Sequence, residues 1–482
     1  MPADTPKNTR RTSRLILLNV CIGQAIVGLD QRALLVALPT LTEYFHTAFT
    51  TIRWTILIYD LMLIGLVITM GRLGDLFGRR RFYTAGFVLF VFGSAMCTLS
   101  QSPLQLIVCR ALQAIGGSMI SANGRAIVSI AIPREERGKA LGLTSTAFHV
   151  GFLSGPTLGG FMIDTIGWRW IFSLNIPVGI WGAYLAWKVI AETKDEEKTP
   201  SIDFVGAGLL LLTNGLFIYA IDHLPRGGWK HPTVLTSFSL AGVAFAMLLF
   251  TEVKSKTPIL ILSLFRNRLF SSGISSLFLV AFSQVALNFL LPFYLQNLRG
   301  FSPSQVGWII VVDSVIIMIL APIAGWLSDR FGSRLLCTIG CSLIAAAQFL
   351  ISTIGLDSSV LRIMFPLALQ GLGWALFNSP NQSAILGSVP MARVGSASGM
   401  TATAARTGGA MGVALSATLF SYILSAAGLS QAQIESPKTW STMPESVIGS
   451  FDRTILIVSF FSLLAVLFSS VRGPRRDRAG DI

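Results

Sequence analysis

Of 482 residues, 52% are hydrophobic, only 12% are charged and Phe alone numbers 32, so the chain lacks the polar surface of a soluble globular protein and must be solvated by lipid. The net charge of +14 raises nucleic acid as a partner, but the basic residues are dispersed in clusters at Lys7/Arg10/Arg11/Arg14, Arg79/Arg80/Arg81, Arg134/Arg137/Lys139, Lys254/Lys256/Arg266/Arg268 and Arg472/Arg475/Arg476/Arg478. With an even number of membrane spans all of them fall on one side, which makes them topology determinants and excludes a nucleic-acid partner.

Apolar runs of about 20 residues, each able to cross about 30 Å of hydrocarbon, are expected at 15–38, 52–70, 82–100, 104–131, 140–163, 171–190, 203–222, 233–252, 269–291, 304–326, 335–354, 360–386, 396–420 and 453–471. The fold class is therefore an all-α membrane protein with 14 transmembrane helices. The first run follows a basic stretch as a secretory signal would, but no small-residue cleavage site precedes the Asp30 to Pro39 segment, so it reads as a retained helix. Pro156, Pro322 and Pro366 lie inside spans, where neighbouring helices re-satisfy the backbone. The cysteines Cys21, Cys97, Cys109, Cys337 and Cys341 have no CxxC spacing, so neither a disulfide framework nor a zinc site is expected. No catalytic triad or nucleotide-binding loop is visible; the chain is not expected to be an enzyme, to use a cofactor or to be driven by ATP.

The sequence repeats internally. Gly71-Arg72-Leu73-Gly74-Asp75-Leu76-Phe77-Gly78-Arg79-Arg80 stands between spans two and three, and Gly325-Trp326-Leu327-Ser328-Asp329-Arg330-Phe331-Gly332-Ser333-Arg334 between spans ten and eleven. Ala111-Leu112-Gln113 with Gly116 in span four is echoed by Ala368-Leu369-Gln370 with Gly373 in span twelve. Matching positions in matching orientation imply two parallel six-helix bundles related by an axis along the membrane normal, with a substrate site between them. The expected division is a cytoplasmic tail at 1–14, a first bundle at 15–191, an inserted helix pair at 203–252, a second bundle at 269–471 and a cytoplasmic tail at 472–482.

At these residues the chain resembles the major facilitator superfamily. The glycine-aspartate-arginine loop looks like its signature loop, and Arg110 with Gln113 and Gly116 is similar to its fourth-helix motif. Gly151-Phe152-Leu153-Ser154-Gly155-Pro156-Thr157-Leu158-Gly159-Gly160 resembles the fifth-helix motif of antiporters. Leu29-Asp30 with Val36-Ala37-Leu38-Pro39, then Trp168-Arg169-Trp170-Ile171-Phe172 with Asn175 and Pro177, resembles the fourteen-helix drug:proton antiporter branch. Arg32 and Arg125 depart from the usual pattern. The resemblance implies that Gly71, Arg72, Gly74, Asp75, Gly78, Arg79 and Arg80, with Asp329 and Arg334 in the second copy, form a breakable latch on the cytoplasmic side. It also implies that Gly151, Gly155, Pro156, Gly159 and Gly160 form a rocking contact between halves. Physically, glycines allow tight turning, a carboxylate suits a helix N-terminus, and Gly151, Gly155 and Gly159 share one helix face.

Proton coupling needs a carboxylate within the membrane that can lose its charge, and Asp30, Asp60 and Asp313 lie well inside spans. Asp30, which also matches the first-helix motif, is the leading coupling residue. The intramembrane cations are Arg32, Arg110, Arg125, Arg362 and Arg406, with Arg362 near an end where it can snorkel. Arg110 and Gln113, three apart, act on one ligand or one partner helix. Arg32 cannot pair with Asp30, two residues away on a nearly opposite face. His149 is a second titratable candidate.

The leading expectation is a proton-coupled secondary active exporter of amphipathic small molecules, working by alternating access as a monomer in the cell inner membrane with both termini cytoplasmic. The rivals are an exporter of one metabolite, siderophore or lipid on the same fold, and a non-transporting receptor or scaffold. If Arg32, Arg110 and one other arginine line the cavity, anionic, zwitterionic or neutral substrates are favoured; the alternative is that these arginines pair with the three acids.

Overall fold

The computed structural model describes residues 6–133, 137–192, 203–227, 230–255, 261–390 and 394–472. Most of the tail at 472–482, the first residues of the tail at 1–14, and the side chains of Asp75 and Asp329 lie outside the described residues. The long helices are α1 (Pro6–Tyr44), α2 (Trp54–Phe77), α3 (Arg79–Leu99), α4 (Pro103–Ala131), α5 (Arg137–Thr165), α6 (Asn175–Val189), α7 (Phe204–Gly227), α8 (Pro232–Lys254), α9 (Arg268–Phe293), α10 (Pro303–Phe331), α11 (Ser333–Ile351), α12 (Val360–Gly387), α13 (Val394–Ala426) and α14 (Pro444–Ser470). Their starts follow local chemistry. Ser102 caps α4 ahead of Pro103, Ser302 and Gln305 form a capping box on α10, and Asn267 and Ser359 cap α9 and α12. Between α2 and α3 the chain turns on Gly78 at φ +105°, and between α10 and α11 on Gly332 at φ +79°, a region that only glycine enters freely.

Among the described residues twelve helices are long and apolar enough to cross a membrane, so this is a multi-pass, helical membrane protein. The other two long helices, α5 and α6, coincide with expected spans five and six but fall short of that measure. The glycines, serines and threonines of α5 dilute its hydropathy, and α6 has only 15 residues because a separate turn at Trp170–Ser173 precedes it.

Packing follows one pattern twice. Helix α1 packs on α5, α3 on α4, α2 on α4 and α3 on α6; α9 packs on α13, α11 on α12, α10 on α12 and α11 on α14. The two sets meet through α5 with α10 and α2 with α13, while α7 and α8 pair with each other and α7 lies against α2 and α13. Close approach is written in glycine: a Cβ on Gly116 would lie 2.7 Å from the Gly86 carbonyl oxygen, and one on Gly373 2.7 Å from that of Gly340.

One end of the bundle carries the basic turns at Arg79–Arg81 and Arg266/Arg268; the opposite end is sealed. There Phe49, Phe293, Phe420 and Trp440 interlock edge to face, with ring centroids 5.0 Å apart for Phe49 and Phe293 and 5.2 Å for Phe420 and Trp440, and Phe289 packs on Phe49 at a tilt. Each such contact contributes about 0.5–1.5 kcal/mol beyond burial. Trp440 belongs to the segment between spans thirteen and fourteen, which sequence reading leaves as an external connection; the structure buries it in the seal. Polar ties reinforce this end: Gln296 Nε2 donates to the Val36 carbonyl at 2.9 Å, Ser304 N to Asp164 at 2.8 Å, and Arg53 pairs with Asp222 of α7 while reaching the Ala414 carbonyl.

Candidate functional site

Asp30 is fully buried on α1, where an unpartnered carboxylate would be expensive. Three donors hold it: Arg110 Nη1 at 2.5 Å, Gln113 Nε2 at 2.9 Å and Asn175 Nδ2 at 2.8 Å. Arg110 and Gln113 sit one turn apart on α4 and reach the same carboxylate, so the partner of their shared face is a helix of their own set. The hub extends to Ser94, which accepts from Gln113, and to the Thr55 carbonyl, which accepts from Arg110 Nε at 3.2 Å. Arg110 also stacks 4.2 Å over the Tyr59 ring.

The other two acids reach across the interface. Asp313 on α10 pairs with Arg32 on α1 at 3.7 Å, both sealed from solvent at 1% and 3% exposure, and Ser314 Oγ donates to Asp313 at 2.6 Å. Asp60 on α2 pairs with Arg406 on α13 at 3.5 Å, each about a fifth exposed at 23% and 22%. Arg32 thus avoids Asp30, as helix geometry requires. Of the two alternatives for these arginines, Arg32 and Arg110 follow the second: both are buried and each is paired with a carboxylate, which lowers the cost of a guanidinium inside the bundle.

A cavity of about 290 Å³ lies between the sets toward the basic end, walled by the last turns of α4 and α12 and the first turns of α5 and α13. Arg125, Ser145 and Gln382 on its wall are exposed, and Arg406, His149, Phe148 and Trp374 complete it. His149 Nδ1 lies 2.8 Å from the Ser145 carbonyl of its own helix.

The glycine motif of α5 divides between two neighbours. A Cβ on Gly151 would strike the Ala25 carbonyl of α1, one on Gly155 would lie 2.8 Å from Ala33 N, and one on Gly159 3.0 Å from Ala33 Cβ. These three glycines therefore seat α1 within the same set rather than joining the sets. The contact across the interface belongs to Gly160, against the Pro303 carbonyl, and to Pro156, whose carbonyl meets Gly307. Residues 156 and 160 share a face one position removed from 151, 155 and 159, so the helix's own rotation separates the two roles.

In the turn between α2 and α3, a Cβ on Gly74 would collide with Asn123 of α4, and Gly71 lies against Ala122. Arg72 and Arg334 are exposed. The carboxylate described at this turn is Glu192, just past α6, a residue that sequence reasoning missed. It accepts from Arg80 N at 3.2 Å and lies 3.6 Å from Arg80 Nε and 3.5 Å from Arg81 Nε. Its only signal in the sequence is its place at the end of span six, beside a basic turn. Arg53 and Asp222 were likewise missed because charges at span ends ordinarily snorkel to water.

A model of the Major Facilitator Superfamily matches residues 20–413. The riboflavin transporter RibZ of Clostridioides difficile (strain 630) is 34% identical over 410 residues, covering 85% of this chain and 89% of that one. The multidrug resistance protein Stp of Mycobacterium tuberculosis (strain CDC 1551 / Oshkosh) is 31% identical over 418 residues, 86% and 77% of the two chains. The tetracenomycin C resistance and export protein of Streptomyces glaucescens is 30% identical over 401 residues, 83% and 74%. Among solved structures, a bacterial homologue of the human lysosomal transporter Spinster, inward-facing and unoccupied, matches with a TM-score of 0.69 at 15% identity over 98% of each chain.

Proposed function

The chain belongs to the major facilitator superfamily, and from that premise we propose that it is a proton-coupled antiporter of the fourteen-helix drug-export branch, extruding amphipathic small molecules by alternating access. That it is a membrane transporter and not an enzyme follows from the family. On this reading α1–α6 (15–191) and α9–α14 (269–471) are the moving halves, α7 and α8 (203–252) are the insert, α5 and α6 complete fourteen spans, and the basic end faces the cytoplasm from an inner membrane. The chain works as a monomer.

The observation that carries the proposal is that two acid–arginine pairs, Arg32–Asp313 and Asp60–Arg406, each tie one set of helices to the other. Rotation of one set against the other changes the separation of these charges, and a proton on either carboxylate removes the attraction that resists the change. Asp30 has a different part. Enclosed within one set, it takes a proton only by giving up Arg110, which frees that guanidinium to move against Tyr59 and α2. Gly71, Arg72, Gly74, Gly78, Arg79 and Arg80, with Asp75, Asp329 and Arg334, are proposed to gate the basic end, and Pro156 with Gly160 to serve as the rolling contact.

The test is a proteoliposome assay with an imposed pH gradient and a mixed panel that includes riboflavin, a polycyclic aromatic and a quaternary ammonium dye. Gradient-dependent flux that collapses with a protonophore is expected; flux indifferent to the gradient would overturn proton coupling. A second reading, a transporter for one metabolite, draws support from the 34% identical riboflavin transporter. Movement of one panel member to the exclusion of all others would favour it.

A further inference from the structure

Four acids inside the bundle already face arginines. Asp30 neutralises Arg110, Asp313 neutralises Arg32, and Asp222 neutralises Arg53 at the sealed end. Asp60 holds Arg406 from 3.5 Å, beyond ordinary hydrogen-bond length, and does not itself line the cavity. Arg125 is left over: it is exposed on the cavity wall, and no carboxylate lies within ion-pair distance of it among the described residues. Among the described residues no acidic side chain lines the cavity, and its third ionisable group, His149, is never negative.

We infer that this cavity is an anion-accepting site, taking planar aromatic carboxylates or zwitterions whose acid group lies between Arg125 and Arg406 while the ring packs against Trp374 and Phe148. The inference deepens the proposed function and rests on it only in treating the ligand as cargo. A guanidinium meets a carboxylate through a planar pair of donors, and such charge-assisted bonds are about twice as strong as neutral ones. A lipophilic cation entering the same space would shed water beside Arg125 and beside Arg406, whose carboxylate partner Asp60 is already engaged. At about 290 Å³ the cavity stands at the small end of ligand pockets, a size suited to a two-ring scaffold.

The experiment uses the full chain in nanodiscs of neutral lipid, without any gradient, and measures calorimetric binding of naphthalene-2-carboxylate, naphthalene-2-carboxamide and 2-naphthyltrimethylammonium. The carboxylate is expected to bind about ten-fold or more tighter than the ammonium compound, with the amide between them. Arg125→Gln should erase the carboxylate's advantage over the amide, with an unchanged thermal midpoint of the ligand-free protein showing that the variant is folded; Arg125→Lys should keep most of the advantage. Equal or tighter binding of the ammonium compound, or an unchanged carboxylate-to-amide ratio in Arg125→Gln, would overturn the assignment. Failure here separates cleanly from failure of the exporter reading. A chain that pumps the ammonium dye but rejects the carboxylate loses the anion site alone, whereas one that binds the carboxylate and moves nothing loses the exporter alone.

Discussion

The first and second sets of helices bury polar hubs at corresponding places, and only one hub is charged. Gly151 and Gly155 of α5 seat against the carbonyls of Ala25 and Leu29, just as Gly408 and Gly412 of α13 seat against those of Phe278 and Phe282. The residue that follows Leu29 is Asp30; the residue that follows Phe282 is Ser283. Ser94 stands eight positions after Gly86, and Gln348 eight after Gly340, the glycine pair that anchors α3 and α11. In the second hub Ser462 Oγ of α14 lies 2.7 Å from Ser283 Oγ and 2.8 Å from Gln348 Oε1, with no ionised group among these side chains, and Leu367 occupies the motif position of Arg110. One frame therefore carries either an ion pair or a neutral network. The lesson is a division of labour: breaking a buried ion pair costs about 3–5 kcal/mol, against about 1 kcal/mol for a neutral hydrogen bond, so the first hub is the stiffer of the two.

The strongest way to break that comparison is to exchange the charge. Asp30→Asn keeps the side chain's size and membrane insertion but strips Arg110 of its counter-charge, and should abolish gradient-driven flux while lowering stability by about 3 kcal/mol; Ser283→Ala should cost about 1 kcal/mol and leave flux intact. Leu367→Arg, which buries an unpaired cation in the neutral hub, should destabilise by about 3–5 kcal/mol, and Ser283→Asp added to it should recover part of the loss. Thermal unfolding in detergent and proteoliposome flux check both. A double variant no better than Leu367→Arg alone would mean that the hubs are not equivalent.

A smaller effect sharpens the contrast between the two pairs that link the sets. Asp60 and Asp313 sit in the first halves of α2 and α10, helices that occupy matching places, and both reach an arginine of the other set. Their burial differs: 1% and 3% exposure for Asp313 and Arg32 against 23% and 22% for Asp60 and Arg406. Asp313→Asn should therefore cost about 3 kcal/mol, and Asp60→Asn no more than about 1 kcal/mol, read as shifts of the thermal midpoint. Equal shifts would show that the cavity does not admit water to Asp60.

What the sequence disclosed was local and what it withheld was pairing at a distance. Helix periodicity put Arg110 and Gln113 on one face and kept Arg32 from Asp30, and both held because they depend on spacing along one helix. The same spacing placed Gly151, Gly155 and Gly159 together but not the neighbour they meet, since nothing local says whether a glycine face turns to its own bundle or to the other. Arg32 with Asp313 and Asp60 with Arg406 join helices far apart in the chain, so their pairing exists only in the packed bundle. Of the arginines counted in the membrane, the fold took Arg32 and Arg110 out of the cavity and left Arg125 and Arg406 in it. Trp440 and Glu192 had no period to betray them; each lies in a connection and finds its role by contact.

The smallest expected effect concerns the basic end, where Glu192 is a carboxylate beside the α2–α3 turn. It reaches the backbone of Arg80 at 3.2 Å and two guanidiniums at 3.5–3.6 Å, with Arg80 32% and Arg81 68% exposed. Ion pairs this wet are worth about 0.2–1 kcal/mol. The backbone hydrogen bond adds direction, since it fixes the start of α3 just past Gly78, whose positive φ no larger residue would hold easily. Glu192→Gln retains an acceptor for Arg80 N and removes only the charge, so it should shift the equilibrium between open and closed basic ends by no more than about five-fold. That shift is read from modification rates of single cysteines placed on the cavity wall in a background whose own cysteines are replaced. Because exposed pairs are screened within about 10 Å at 0.1 M salt and within about 3 Å at 1 M, the parent and Glu192→Gln rates should converge as salt rises. Rates that stay apart at high salt would mean that Glu192 acts through the backbone of α3, and rates identical at every salt would remove it from the gate.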